Sequence, residues 1–162
     1  MSNLTWFPAT STNNNFQPMA WNYTHTIQLT AQVNSNHNYT AIAKEFFEKY
    51  GTDSACGIMH TEPYYATDAC ISLHMHQYGV NHLYEVMGYA AFKNKTTELN
   101  IHSIKYMNLI PTAQPVGKNS VMISVFGQSE ILGKIYTIES TLIIKIEKNT
   151  AKITNQILNI FL

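Results

Sequence analysis

Residues 97–162 read as strand after strand, with no helical period among them. The stretches TELNIHSIKYMNLI, SVMISVFGQ, KIYTIESTLIIKIE and AKITNQILNIFL alternate like strands, and the turn signals PTAQPVGKN, SEILG and EKNT separate them. A meander of consecutive antiparallel strands is the reading that fits. Its alternation is unusual, however. In residues 120–128, Val121, Ile123 and Val125 share one face, while Met122 and Phe126 share the other with only Ser124 between them. In the last stretch Ile153, Ile157 and Phe161 oppose Leu158, Ile160 and Leu162. A sheet with one wet face alternates apolar and polar residues. Both faces of this one need a cover.

Helical patterning lies upstream. In TAIAKEFFEKYG, Ile42, Phe46, Phe47 and Tyr50 recur at helical spacing, Thr40 is placed to cap the start and Gly51 to end it. Residues 52–69 are less regular, with room for a short helix before Pro63. In residues 70–79, Cys70, Ser72, His74 and His76 alternate with Ile71, Leu73 and Met75, as a strand does. Asn81 is placed to cap a helix over HLYEVMGYAAF, with Leu83, Val86, Met87 and Ala90 in one stripe. Helices first, a strand and helix next, then a meander: the class is α+β, with a domain over 40–162. Its helices are too few to cover both faces of the sheet.

Residues 1–39 form a separate arm. They contain no Asp, Glu, Lys or Arg, yet carry Trp6, Phe7, Phe16, Met19, Trp21 and Tyr23. Disordered tails are charged and poor in aromatics, so this composition suits an arm lying on a surface. Within it, TIQLTAQV at 26–33 alternates Ile27, Leu29, Ala31 and Val33 with polar residues, the signature of a half-buried strand. Trp6, Phe7, Phe16, Trp21, Ile27 and Leu29 are the expected arm contacts, made with a neighbouring protein or a sheet edge.

Charge narrows the function classes. Ten Lys plus Arg balance ten Asp plus Glu, and every cation is Lys. Without Arg there is no bidentate grip on phosphate or guanine, and neutrality removes the general pull toward nucleic acid. No apolar run reaches the roughly 18 residues of a membrane span, and the first residues lack the basic start and apolar centre of a signal peptide. The expected setting is therefore intracellular, cytoplasm or nucleus, with Cys56 and Cys70 as reduced thiols. Sequons at Asn3, Asn22, Asn38 and Asn94 then match by chance in an Asn- and Thr-rich chain. Abundant Asn, Ile and Lys without Arg points to an AT-rich genome. His74 and His76 are two apart on one face, but only Cys70 shares that side, so no metal site is expected. No cofactor is expected either. Nothing local to Cys56 would lower its thiol pKa and make it a nucleophile.

Four strings in order resemble the nuclear transport factor 2-like family over residues 41–161. YGVNHLYEVMGYAAF resembles the segment where a glycine precedes the third helix, and HSIKYMNLIPT the long bent strand after it. VMISVFGQ resembles the next strand with its terminal Gly-Gln, and ITNQILNIF the last strand. The resemblance implies a cone, a curved antiparallel sheet wrapped around N-terminal helices with a cavity at its open end. In many members the outer face of the sheet packs on another subunit. That expectation assigns Met122, Phe126, Leu158, Ile160 and Leu162 to a dimer or partner interface with Val121, Ile123 and Val125 lining the cone, or the two faces the other way round; the alternation alone does not choose between them.

The fold hosts enzymes and binding modules alike, so the site decides. Enzymatic members use a buried carboxylate or His as base with a Tyr or protonated Asp as donor; here the available ring is His74, His76, His102 and Tyr106, with Asp68 and Glu62 near them in sequence, and His74, His102 and Tyr106 are the residues a catalytic reading would use. The meander is poor in acids. Transport-factor members bind the GTPase Ran through an acidic loop after the Gly-Gln strand and a Trp-Glu pair on the first strand. SEILGK has one carboxylate, Glu130, and CISLHMHQ has neither Trp nor Glu, so Ran binding is not expected. The expectation is a non-catalytic interaction or scaffold module, acting as a dimer or as a subunit of a larger assembly such as a large virus particle. The alternatives are a small-molecule enzyme or ligand carrier using the cone, and a transport adaptor for phenylalanine-rich peptides.

Overall fold

A computed structural model of the chain describes residues 39–107, 112–148 and 150–162. The arm, including its strand signature at 26–33 and Trp6, Phe7, Phe16, Trp21, Ile27 and Leu29, lies outside the described residues. Helix α1 spans Tyr39–Cys56. It does not stop at Gly51. Ser54, one turn beyond Tyr50, is buried like the Ile42, Phe46 and Tyr50 stripe, so the inward face continues, and the chain leaves the helix only at Gly57 with φ 152°. Two single 3-10 turns follow, Ile58–His60 and Glu62–Tyr64, the second containing Pro63.

Strand β1 (Tyr65–Gln77) pairs with β2 (Val80–Met87) in an antiparallel hairpin. The expected helix over 82–92 is thus wrong in its first half. Tyr78 and Gly79 both adopt positive φ (47° and 79°), the conformation of a two-residue turn whose twist matches paired strands. That turn overrides the helix-like spacing of Leu83, Val86 and Met87, and Asn81 pairs with His76 rather than capping a helix. Helix α2 (Tyr89–Glu98) begins only after Gly88, φ 79°, where a Cβ would stand 3.0 Å from the Thr67 carbonyl oxygen. It buries Tyr89, Phe92 and Thr96.

The expected strand over 97–110 is also corrected. Its first residues finish α2, and Ile101 and Ile104 are buried in an irregular stretch tied by Ile101 N–H to Thr96 O (2.8 Å) and Ile104 N–H to Ser54 O (3.0 Å). Among the described residues of that stretch only β3 (Lys105–Tyr106) is extended, residues 108–110 lying outside them, and β4 (Thr112–Gly117) forms where a turn was expected. The last three strands, β5 (Ser120–Ile131), β6 (Lys134–Glu147) and β7 (Thr150–Phe161), match the sequence reading.

The sheet runs β2-β1-β7-β6-β5-β3, with β4 also paired to β5. β1 lies parallel to β7; the other pairings are antiparallel, so the sheet is mixed. It is curved and unclosed, and the fold is α+β. α1 packs over β3, β4 and β5, while α2 packs over β1 and β2. Both helices cover the inner face, where Val121, Ile123, Val125, Ile138, Leu142, Ile144, Leu158 and Ile160 are fully buried. Among the described residues no helix is long and apolar enough to cross a membrane.

Candidate functional site

The puzzle of strands apolar on both sides has two separate causes. In β7, Ile144 pairs with Ile153 but Ile143 pairs with Asn155, so Thr154 is an extra residue. A bulge of this kind changes which parity of residue faces inward. Ala151 and Ile153 point in before it, and Gln156, Leu158 and Ile160 point in after it. Leu158 and Ile160 are therefore core, 0% exposed, and not the interface residues expected; Leu162 is half-buried. The outward apolar residues of β7 after the bulge are Ile157 and Phe161, each 44% exposed. In β5 the doubling is real: Met122 and Phe126 lie on the outer face, Met122 half-buried and Phe126 50% exposed.

Register lays out that outer face. One row runs Leu83, His74, Asn159, Glu139, Phe126, and the next Glu85, Ser72, Ile157, Thr141, Ser124. Asn81, His76, Phe161 and Thr137 lie to one side, and Met87, Cys70, Asn155, Ile143 and Met122 to the other. His76 stacks on Phe161 with ring centroids 5.0 Å apart, and its Nδ1 lies 2.8 Å from Asn81 Oδ1. The face is apolar and neutral-polar, with Glu85 and Glu139 as its carboxylates in these rows.

The inner face carries a different feature. Tyr50 from α1, Tyr65 from β1 and Tyr106 from β3 converge on Gln156 and Ser140 under the helices. Tyr65 donates to Gln156 Oε1 at 2.6 Å, and Gln156 Nε2 donates to Ser140 Oγ at 3.0 Å and to Tyr50 Oη at 3.4 Å. The Tyr50 and Tyr65 hydroxyls are 3.1 Å apart, and those of Tyr50 and Tyr106 3.5 Å. Burial pushes all three phenols well above their ordinary pKa. They are neutral donors. In these bonds the hydroxyls are joined to one another, to an amide and to a hydroxyl, which ties α1, β1 and β3 to β6 and β7 through neutral hydrogen bonds.

The residues of the alternative, catalytic reading do not lie together. His74 is on the outer face, His102 is exposed in the segment after α2, and Tyr106 sits inside against Phe47, ring centroids 5.1 Å apart. His74 and His76 are neighbours, ring centroids 6.3 Å apart, and among the described residues no group of three or more His, Cys, Asp or Glu gathers as a metal site. Cys56 and Cys70 are free, exposed thiols. Two surface recesses are lined by Cys70, Ser72, Glu85 and Met87 (about 320 Å³) and by Cys56, Met59, Lys93 and His102 (about 300 Å³). Neither contains the tyrosines. Sequence reading missed Gln156, Tyr50 and Tyr65 as a set; a Gln set among apolar alternations in ITNQILNIF was the available signal, hidden by the bulge.

No protein-family model matches the chain, and no curated protein does. Solved structures do. Nuclear transport factor 2 from Cryptosporidium parvum superposes with a TM-score of 0.59 at 14% identity, covering 84% of this chain and 99% of that one. The chain has the nuclear transport factor 2-like fold. Yeast UBP3-associated protein BRE5 gives a TM-score of 0.56 at 20% identity, with 76% and 97% covered. A ketosteroid isomerase-like protein from Parabacteroides distasonis gives 0.54 at 14%, with 82% and 94% covered. Within this nuclear transport factor 2-like fold, Gly127 brings β5 against β3: a Cβ there would stand 2.9 Å from Lys105 O. The turn after the Gly-Gln strand is Leu132–Gly133, with Leu132 80% exposed at its tip and Glu130 back in the strand.

Proposed function

We propose that the chain is a non-catalytic protein-interaction module whose outer sheet face docks a second copy of itself. The observation that carries this reading is the placement of Leu83, Met87, Phe126, Ile157 and Phe161 on the outer face, each 44–68% exposed. Together they expose on the order of 500 Å² of apolar surface, about the apolar share of a standard interface of about 800 Å² per partner. The occupant is a second copy because the patch can be self-complementary. Its polar members in the same rows are mostly Ser, Thr, Asn and His, so a twofold arrangement meets few like charges, and a net charge of zero adds no general repulsion. The tyrosine interior, packed with Phe46, Phe47 and Phe92 and lacking a base, supports a structural rather than catalytic use of the cone. Structural neighbours of this fold include the Bre5 cofactor solved in complex with the yeast deubiquitinase Ubp3, which supports protein recognition as a use of such a domain.

The test is Phe126→Asp combined with Ile157→Asp, read by light scattering and sedimentation. The wild-type chain is expected as a dimer at micromolar concentration and the variant as a folded protein whose self-association is at least about tenfold weaker. A monomeric wild type, or a variant that dimerises as well as the parent, would overturn the reading.

A further inference from the structure

Of the two sheet edges, one is protected and one is not. At the far side β4 is short, contains Pro115 and breaks register before Gly117, devices that discourage a further strand. At the near side β2 is eight residues long, VNHLYEVM, pairs with β1 in unbroken register and has no Pro or Lys. The hairpin closes on the Gln77–Val80 pair, and Gly88 N–H bonds to Ala69 O at 2.8 Å, so the intervening pairs alternate in a fixed phase. The amides of Asn81, Leu83, Glu85 and Met87 then point away from β1. Among the described residues no strand pairs with that side. A long, regularly paired, nearly uncharged edge of this kind is a template for another strand.

The sequence contains a segment with a matching pattern. Residues 26–33, TIQLTAQV, also number eight, alternate apolar with polar and are uncharged. We propose that residues 26–33 of one copy add to the β2 edge of a second copy. The reach of the chain decides between copies. Tyr39 begins α1 beside the β4–β5 turn, its hydroxyl donating to Lys118 O. From β5 a strand outside β2 is five strand positions away, about 24 Å at about 4.8 Å each. The inner side, the direct route, is filled by α1 and α2 over the core. The linker of residues 34–38 spans at most about 20 Å when fully extended, which does not reach around them. A second copy has no such limit. This contact is an edge, separate from the outer face proposed above as a docking surface.

The test places a photoreactive benzophenone side chain at position 30 of the full chain and irradiates an equimolar mixture of isotope-light and isotope-heavy protein. Crosslinked peptides joining a light residue 30 to a heavy β2, and the reverse, are expected. Crosslinks confined to one copy, crosslinks to other elements, or none would overturn the proposal. In the full chain, Gln28→Pro with Thr30→Pro should raise hydrogen exchange at Asn81, Leu83 and Glu85 by about tenfold or more while β6 is unchanged; unchanged exchange would count against it. The crosslink should persist in Phe126→Asp chains. Its loss there would make the edge contact a by-product of face association and overturn the proposal as stated, whereas its survival with self-association weakened would leave the edge standing and support the face separately.

Discussion

Replacing Gln156 by Leu tests whether the interior is held by its polar network. Leu keeps much of the volume and removes both amide functions. Tyr65 loses its acceptor at 2.6 Å and Ser140 loses its donor at 3.0 Å; the 3.4 Å contact to Tyr50 is weak and counts little. The Tyr50 and Tyr65 hydroxyls still reach each other at 3.1 Å, so one phenol remains short of a partner. Two orphaned buried groups at about 1–3 kcal/mol each, offset by the added apolar burial of Leu, give an expected loss of about 2–4 kcal/mol. Urea unfolding monitored by tyrosine fluorescence measures it, with near-ultraviolet circular dichroism reporting the aromatic packing. An unchanged slope with a midpoint shift worth less than about 0.5 kcal/mol would refute the reasoning, because it would mean those hydroxyls are satisfied without Gln156.

The same interior sets a high-pH limit. Burial raises the folded-state pKa of Tyr50, Tyr64, Tyr65 and Tyr106, and Asp53, accepting from Tyr64 at 2.6 Å, adds to the rise for Tyr64. The unfolded chain starts releasing these protons near pH 10, while the folded one holds them, so stability is full below about pH 10 and falls above it, by about 1.4 kcal/mol per pH unit for each such tyrosine; urea midpoints from pH 8 to 11 that stay flat would contradict this. Gly127→Ala is expected to cost about 1–3 kcal/mol in thermal unfolding, because its Cβ meets backbone, Lys105 O at 2.9 Å and Tyr106 Cα at 3.2 Å, rather than a movable side-chain tip. Tyr78→Asn and Leu132→Asn should each stabilise by about 0.5–1 kcal/mol in urea titrations, since both positions hold positive φ (47° and 51°) in exposed hairpin turns where Asn is less strained.

The meander was legible because local signals there agree: β-branched alternation, and turn residues ahead of each of β5, β6 and β7. α1 was legible from Ile42, Phe46 and Tyr50, though Gly51 was a false stop because the residues after it still had an inward face to bury. β2 was misread because Leu83, Val86 and Met87 satisfy a helical period while Tyr78–Gly79 specifies a hairpin, and Tyr is a poor advertisement for a left-handed turn. Residues 97–110 were misread since Ile101 and Ile104 look like strand alternation but are buried from an irregular stretch tied to Thr96 and Ser54. At the outer face, Met122 and Phe126 were readable from β5. Leu158, Ile160, Ile157 and Phe161 were not, for the faces of β7 depend on one inserted residue that leaves no mark in composition.

That insertion makes an unusual prediction about deletions. In a strand with a buried face, removing one residue shifts everything beyond it to the opposite side, which in β7 would normally expel Leu158 and Ile160. Thr154 is the exception. With it gone, Ile153 and Asn155 become consecutive partners of Ile144 and Ile143, and Gln156, Leu158 and Ile160 keep the inward parity they already have. Deleting Thr154 removes a side chain whose bond, to Ile143 O at 3.3 Å, is long, and straightens a local bend, so a loss of about 1–2 kcal/mol is expected with the fold retained. Deleting Asn159 instead keeps Leu158 in place but drives Phe161 into the site of Ile160, and puts Ile160 where Asn159 now faces out. The exchange overpacks a core position that is 0% exposed, at about 1–3 kcal/mol, and breaks the contacts of His76 with Asn159 (3.4 Å) and Phe161. Urea unfolding of the two deletions side by side checks the order. If deleting Thr154 costs as much as deleting Asn159, or unfolds the chain, then Thr154 is no supernumerary residue. The outward placement of Ile157 and Phe161, and the docking surface built on them, would then lose its basis.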